Sequence, residues 1–136
     1  MNKFFRTAAF VALLCAGCAS APSPPEPPIS MIGYPDVASV HTMLAGRSDV
    51  RRFTLPSGWT VIEVPSEQIV WAFVPDNSPM APAVVKKQLE KLAERTVTHF
   101  TSRCEGQREA CNGLMQEYAL VAPQIEQLLS PTASIP

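Results

Sequence analysis

"WTVIEVPSEQIVWAFV", Trp59 to Val74, is two runs of β-branched and aromatic residues around one polar break. Such runs form strands, and Pro65-Ser66-Glu67 between them reads as a turn. In the first run Trp59, Val61 and Glu63 alternate with Thr60, Ile62 and Val64. In the second, Ile69, Trp71 and Phe73 share one face, while Val70, Ala72 and Val74 share the other. Both faces of the second run are apolar. That pattern marks a central strand covered on both sides, or a strand keeping one face for a partner. Simple burial is the preferred reading. Trp71 and Phe73 are the candidate partner-binding residues under the other.

Outward from this hairpin, "VRRFTL" (Val50–Leu55) is separated from it by Pro56-Ser57-Gly58 and extends it to a three-stranded meander. Upstream, Asp36 reads as a helix N-cap. Val37, Val40, Met43 and Leu44 follow on one apolar face, His41 sits beside it, and Gly46 suits the residue after the helix. Downstream, "AVVKKQLEKLAER" from Ala83 repeats Val85, Leu89 and Leu92 or Ala93 at helical spacing, with Pro82 fit for a first turn. A helix is expected there, with a strand over Val84–Leu89 as the alternative. "TVTHFTSRC" is β-rich and adds a fourth strand. "REACNGLMQEYALVA" then closes the domain as a helix with Cys111, Leu114, Met115, Tyr118 and Val121 or Ala122 on its core face. Pro123 interrupts or kinks it, with "QIEQLL" able to continue it for another turn before a frayed "SPTASIP".

The fold class is therefore α+β: a small antiparallel sheet of about four strands with flanking helices, one disulfide and a Pro-rich N-terminal tether. The expected units are residues 1–17, 18–35, 36–123 as the domain, and 124–136 as a partly disordered extension.

The start of the chain, "MNKFFRTAAFVALLCAGC", has Lys3 and Arg6 before an unbroken apolar stretch from Ala8 to Leu14, then the small residues Ala16 and Gly17. That is the layout of an export signal. As a membrane span it is too short, since its apolar part covers roughly half of a ~30 Å hydrocarbon core. Leu14-Cys15-Ala16-Gly17-Cys18 resembles the lipobox of bacterial lipoproteins. The resemblance implies lipidation of Cys18, cleavage after Gly17, and loss of Cys15 with the signal. The leucine stands one place earlier than the pattern favours. Ala19 after the cysteine implies, by the same resemblance, transfer to the outer membrane. "APSPPEPPIS" then holds five prolines within Pro22–Pro28 and favours extended polyproline II. Residues 19–35 would hold the domain up to roughly 50 Å from the bilayer. A proline-rich docking ligand is the sharper alternative.

Loss of residues 1–17 leaves nine basic and twelve acidic residues, a net charge of −3, which argues against a nucleic-acid partner. Cys104 and Cys111 then remain as an even pair in an exported domain, which reads as a disulfide. A metal site is the rival. His41 and His99 show no ligand spacing to either cysteine, and no metal or cofactor is expected.

No G-x-x-x-x-G-K-[ST], G-x-S-x-G or H-E-x-x-H motif is present. Asp36, Ser39 and His41 fall on one predicted helix, a poor geometry for a triad. Glu63 is expected on a solvated strand face and Glu67 in a turn. No catalytic residue is nominated. Arg47, Arg51 and Arg52 are a local basic excess, read as charges that blunt an edge strand or as a contact for anionic head groups; Arg51 and Arg52 join the candidate partner-binding residues. Residues 50–120 also resemble, loosely, small proteobacterial envelope lipoproteins of unknown function. Trp71-Ala72-Phe73-Val74-Pro75, Pro82-Ala83-Val84-Val85-Lys86 and the Cys104/Cys111 spacing carry that likeness, which implies a fold and not an activity.

The expectation for function is an outer-membrane lipoprotein with a periplasm-facing domain, acting as a non-catalytic binding or accessory module for an envelope protein. An inhibitor or immunity lipoprotein against an envelope-attacking enzyme is the alternative, and a hydrolase a distant third. An exposed apolar sheet face would favour the first, a protruding loop with a carboxylate the second, and a cleft with two titratable groups in contact the third.

Overall fold

The computed structural model describes residues 17 and 31–130. Residues 1–16, 18–30 and 131–136 lie outside the described residues, and with them Cys18, nearly all of the expected export signal and most of the expected tether. Helix α1 (Val37–Ala45) is followed by strands β1 (Arg51–Thr54), β2 (Thr60–Val64), β3 (Ile69–Phe73), β4 (Ala83–Lys91) and β5 (Thr96–Cys104), then helices α2 (Arg108–Cys111) and α3 (Leu114–Leu129). The five strands form one antiparallel meander in chain order. Helix α1 covers one face of the sheet and α3 the other, so the class is α+β with three layers.

The quoted hairpin is the middle of this sheet. All five residues of β3 are buried, and their alternation feeds two cores. Val70 and Ala72 join Val61, Val85, Leu114, Tyr118, Val121 and Ile125 on the α3 side. Ile69, Trp71 and Phe73 join Ile62, Val64, Val84, Val37, Val40 and Leu44 on the α1 side. Gln68 adopts the left-handed conformation that turns the chain tightly between β2 and β3, and its N–H donates to Pro65 O at 3.2 Å. The β1–β2 connection needs Gly58, whose φ of +91° is open mainly to glycine.

Helix α1 starts as expected. The Asp36 carboxylate accepts from the Ser39 N–H at 2.7 Å, satisfying one orphan donor of the first turn. Gly46 closes the helix in a right-handed conformation rather than a left-handed one, and the Arg52 guanidinium donates to the Leu44 carbonyl instead. A cation at a helix C-terminus is well placed for the helix dipole. The ordered domain also begins earlier than residue 36: Ile32 is buried, and Tyr34 meets the Trp71 ring edge-on at 6.0 Å.

The helix expected over 83–94 is a strand and a turn. Val84 and Val85 are both fully buried, but in opposite cores. Consecutive side chains point to opposite faces only in a strand; in a helix they stand about 100° apart. The sheet accordingly has five strands and not four. Leu92, expected on a helix face, lies in the β4–β5 turn and is 42% exposed.

The closing helix also differs. It breaks at Asn112-Gly113 into α2 and α3, and Met115, expected in the core, is 42% exposed. Pro123 does not end it: α3 continues to Leu129 and buries Ile125 completely, so the packed domain extends past residue 123. Pro123 and Ala119, four residues earlier, both lie on the exposed side, where water can satisfy the carbonyl that proline leaves unpaired. Cys104 and Cys111 are bonded, with Cα atoms 5.7 Å apart, as expected. The loop they close lies against residues 79–82, through Glu105 N–H to Pro82 O (2.8 Å) and Gln107 N–H to Pro79 O (2.9 Å). Gly106 makes this possible, because a β-carbon there would stand 2.4 Å from the Met80 carbonyl.

Candidate functional site

The residues nominated from sequence fall into two groups, and neither is an open binding face. Trp71 is 2% exposed, and Phe73 is buried beside it beneath α1, where His41 stacks on its ring at 4.0 Å between centroids. Their face of β3 is core, so Trp71 and Phe73 are withdrawn as partner contacts. Arg51 and Arg52 do lie at the surface on edge strand β1. Each is already engaged: Arg51 with Glu63 at 2.9 Å, and Arg52 with the end of α1. Arg47 bridges Asp49 (2.7 Å) and Glu67 (2.8 Å). Three guanidiniums thus meet three carboxylates and one helix end, and the basic excess of the sequence is neutralised locally.

This cluster carries a pH signature. The Arg47 guanidinium holds the Asp49 carboxyl down at about 2, against an ordinary 3.8. The hydrogen bond from Ser39 lowers Asp36 in the same direction. A carboxylate with a depressed native pKa contributes stability that is present above its unfolded pKa and lost as pH falls towards the native one. The melting temperature should be flat above about pH 5 and decline between about pH 4 and about pH 2. The slope should be shallow, since both groups are exposed, and Asp49→Asn should flatten it further. Circular dichroism melts across this range check it; an undiminished slope in Asp49→Asn would remove the assignment.

A groove of about 340 Å³ lies where the sheet meets the end of α3. Ile69, Val70, Leu89 and Leu129 supply apolar lining, and Glu63, Gln68, Lys87 and Glu126 supply polar groups. Lys87 pairs with Glu126 across it. Two titratable groups in contact within a cleft meet the condition set for a hydrolase. They are, however, an ammonium and a carboxylate already paired, with no hydroxyl or thiol nucleophile among the lining residues except the exposed Ser130. Neither Lys87 nor Glu126 was nominated from sequence, because their 39-residue separation is closed only by the fold.

The third feature is an arm. Strand β3 pairs with β4 only as far as Gln88, while β4 and β5 stay paired out to Lys91 and Thr96. Leu89 N–H still donates to Gln68 O at 3.0 Å, so residues 90–97 extend past the other strands as a two-stranded ribbon. Its turn, Leu92-Ala93-Glu94-Arg95, is exposed throughout and closes with Leu92 N–H to Arg95 O at 2.8 Å. His99, which has no acid near it in sequence, meets Glu90 across the ribbon at 2.8 Å. The signal for the arm was present as two β-capable runs flanking "LAER". That turn lacks glycine or proline and so passed as helix.

Among the described residues no group of three or more His, Cys, Asp or Glu side chains is placed to hold a metal ion. No described helix is long and apolar enough to cross a membrane. No protein-family model matches the chain, and neither a curated protein nor a solved structure matches it.

Proposed function

We propose that the chain is a lipid-anchored, non-catalytic binding or accessory module of the bacterial envelope, tethered to the outer membrane through Cys18 with its domain in the periplasm. The arm carries this reading. A ribbon that leaves the sheet, exposes Leu92 and places charged residues at its turn stabilises no core, and it has the reach to enter a partner. The central strand is covered on both faces, so recognition through Trp71 and Phe73 is set aside in favour of the arm. A photo-activatable side chain at Leu92, activated in intact cells, should capture an envelope protein that the same probe at exposed Gln116 on α3 does not. Identical capture profiles at the two positions would end this reading. Cys18→Ala should shift the protein to the soluble fraction or leave it uncleaved, and unchanged fractionation would end the anchoring claim separately.

The inhibitor reading keeps one specific support: Glu94, an exposed carboxylate at the tip of the arm with no ion pair among the described residues. If the captured partner is an envelope-cleaving enzyme, purified chain should suppress its activity. Glu94→Ala should then weaken suppression by about tenfold or more, as loss of a hydrogen-bonded charge at an interface does.

A further inference from the structure

The two edges of the sheet are built differently. Edge strand β1 has four residues, and two of them are arginines with fixed partners. Short, charged edges resist pairing with other chains. Edge strand β5 has nine residues, "TVTHFTSRC", with no proline, lysine or acid. A long edge of that composition is a template for another strand unless something covers it.

The hydrogen-bond phase of β5 shows which backbone groups are free. Leu92 bonds to Arg95 at one end of the β4–β5 ladder, and Glu105 to Pro82 beyond the other. Bonded and non-bonded pairs alternate along an antiparallel ladder. The register therefore makes Val97, His99, Thr101 and Arg103 the residues bonded to β4. The N–H and C=O groups of Thr96, Thr98, Phe100, Ser102 and Cys104 point away from the sheet. Those of Thr98, Phe100 and Ser102 have no partner among the described residues.

Phe100 is the midpoint of β5 and one of these outward residues. We propose that β5 pairs antiparallel with β5 of a second copy about a two-fold axis at Phe100, joining two sheets into one. An axis there overlaps all nine residues and pairs every outward residue with an outward residue; an axis at either neighbouring residue keeps that phase but leaves two residues at one end of each strand unpaired. Phe100 then faces Phe100 of the second copy, Thr98 faces Ser102, and Thr96 faces Cys104. Aromatic and hydroxyl cross-strand pairs of this kind are favourable. On the opposite face Val97 meets Arg103 and His99 meets Thr101, so no like charges are apposed. This self-complementarity selects a second copy over an unrelated strand.

The side chains beside the edge fit the same seam. Phe100 is 48% exposed although it packs edge-on against Tyr118 at 5.8 Å. Met115 precedes Glu126 by eleven residues, about three helical turns, and so shares its flank of α3. Glu126 reaches Lys87, which lies opposite Phe100 in the ladder. Met115 and Phe100 thus border the same edge, and both are large apolar residues left in water by the single chain. The two arms would lie at opposite ends of the seam, leaving both tips free.

Sedimentation of the full chain in mild detergent, from about 1 μM to about 1 mM, tests this directly. The mass should rise to that of two chains. Hydrogen exchange at the Thr98, Phe100 and Ser102 amides should slow about tenfold or more over the same range. Phe100→Lys with Ser102→Lys should restore the single-chain mass while the chain still melts cooperatively. Ser102→Lys alone, at an exposed site, serves if the pair disturbs packing on Tyr118. A single-chain mass throughout would overturn the proposal, as would a dimer in which these three amides exchange freely or one that survives Ser102→Lys. Amides protected only by adding a membrane extract, at constant single-chain mass, would give the edge to a different partner and overturn it equally.

Discussion

Trp71→Ala should abolish cooperative folding, or lower the melting temperature by roughly 15–30 °C. The side chain is 2% exposed in the middle of the central strand, with Ile62 on one side of it in the sheet and Lys86 on the other. Val37, Val40 and Leu44 of α1 belong to the same core, as do Ile32 and Val84. Truncating a buried tryptophan removes its transfer energy and leaves a cavity that neighbours only partly fill, at about 3–5 kcal/mol. A domain of this size holds about 5–15 kcal/mol in total. Trp71→Phe separates packing from polarity. The indole Nε1 is the one buried side-chain donor without a partner among the described residues, and an unpaired buried donor is itself unfavourable. Phenylalanine keeps most of the apolar contact and removes that donor, so its cost should be well below that of alanine. Thermal denaturation of both variants checks the order. Trp71→Ala melting like the wild type would show that the α1 face of β3 is not core, and would return Trp71 and Phe73 to the list of partner contacts.

The legible parts of this fold are those where one period alone fits. In β3 the apolar residues run without gaps, which a five-residue central strand explains and an amphipathic helix does not. At α1 the cap residue and the Val37, Val40, Leu44 spacing agree with each other. Over 83–94 the evidence was degenerate. Val85 and Leu89 are four apart, and four residues is both about one helical turn and two strand periods. Lys86 and Glu90 have the same ambiguity, so ion-pair spacing could not break the tie. The adjacent Val84 and Val85 were the distinguishing pair, and their meaning depends on there being a second core for Val84 to enter. Met115 went astray for a related reason. It lies at the margin of the apolar stripe, and whether a marginal residue is covered depends on how far the sheet extends beneath the helix. The candidate sites were less legible still. Lys87 with Glu126, Glu90 with His99, and the free edge of β5 are products of register, which no local pattern encodes.

Cys111→Ser should lower stability by about 2–3 kcal/mol and the melting temperature by roughly 10–20 °C. The bond spans a sequence separation of seven, and closing so short a loop removes about that much freedom from the unfolded chain. The native side of the balance points the same way. Helix α2 is a single turn, too short to persist by itself. It is held by the bond at Cys111 and by the contact of residues 105–107 with 79–82. Without the bond, residues 105–113 should exchange their amides faster, while α3, anchored by Leu114, Tyr118, Val121 and Ile125, should stay protected. Reductant should bring the wild type to the stability of the Cys104→Ser/Cys111→Ser variant and leave that variant unmoved. Mass spectrometry of unreduced protein recovered from cells should find the Cys104 and Cys111 peptides joined. Free thiols there, or equal melting of oxidised wild type and Cys111→Ser, would show that the bond does not contribute to the native domain. The connection between β5 and α3 would then have to rest on the close approach of Gly106 to the Met80 carbonyl.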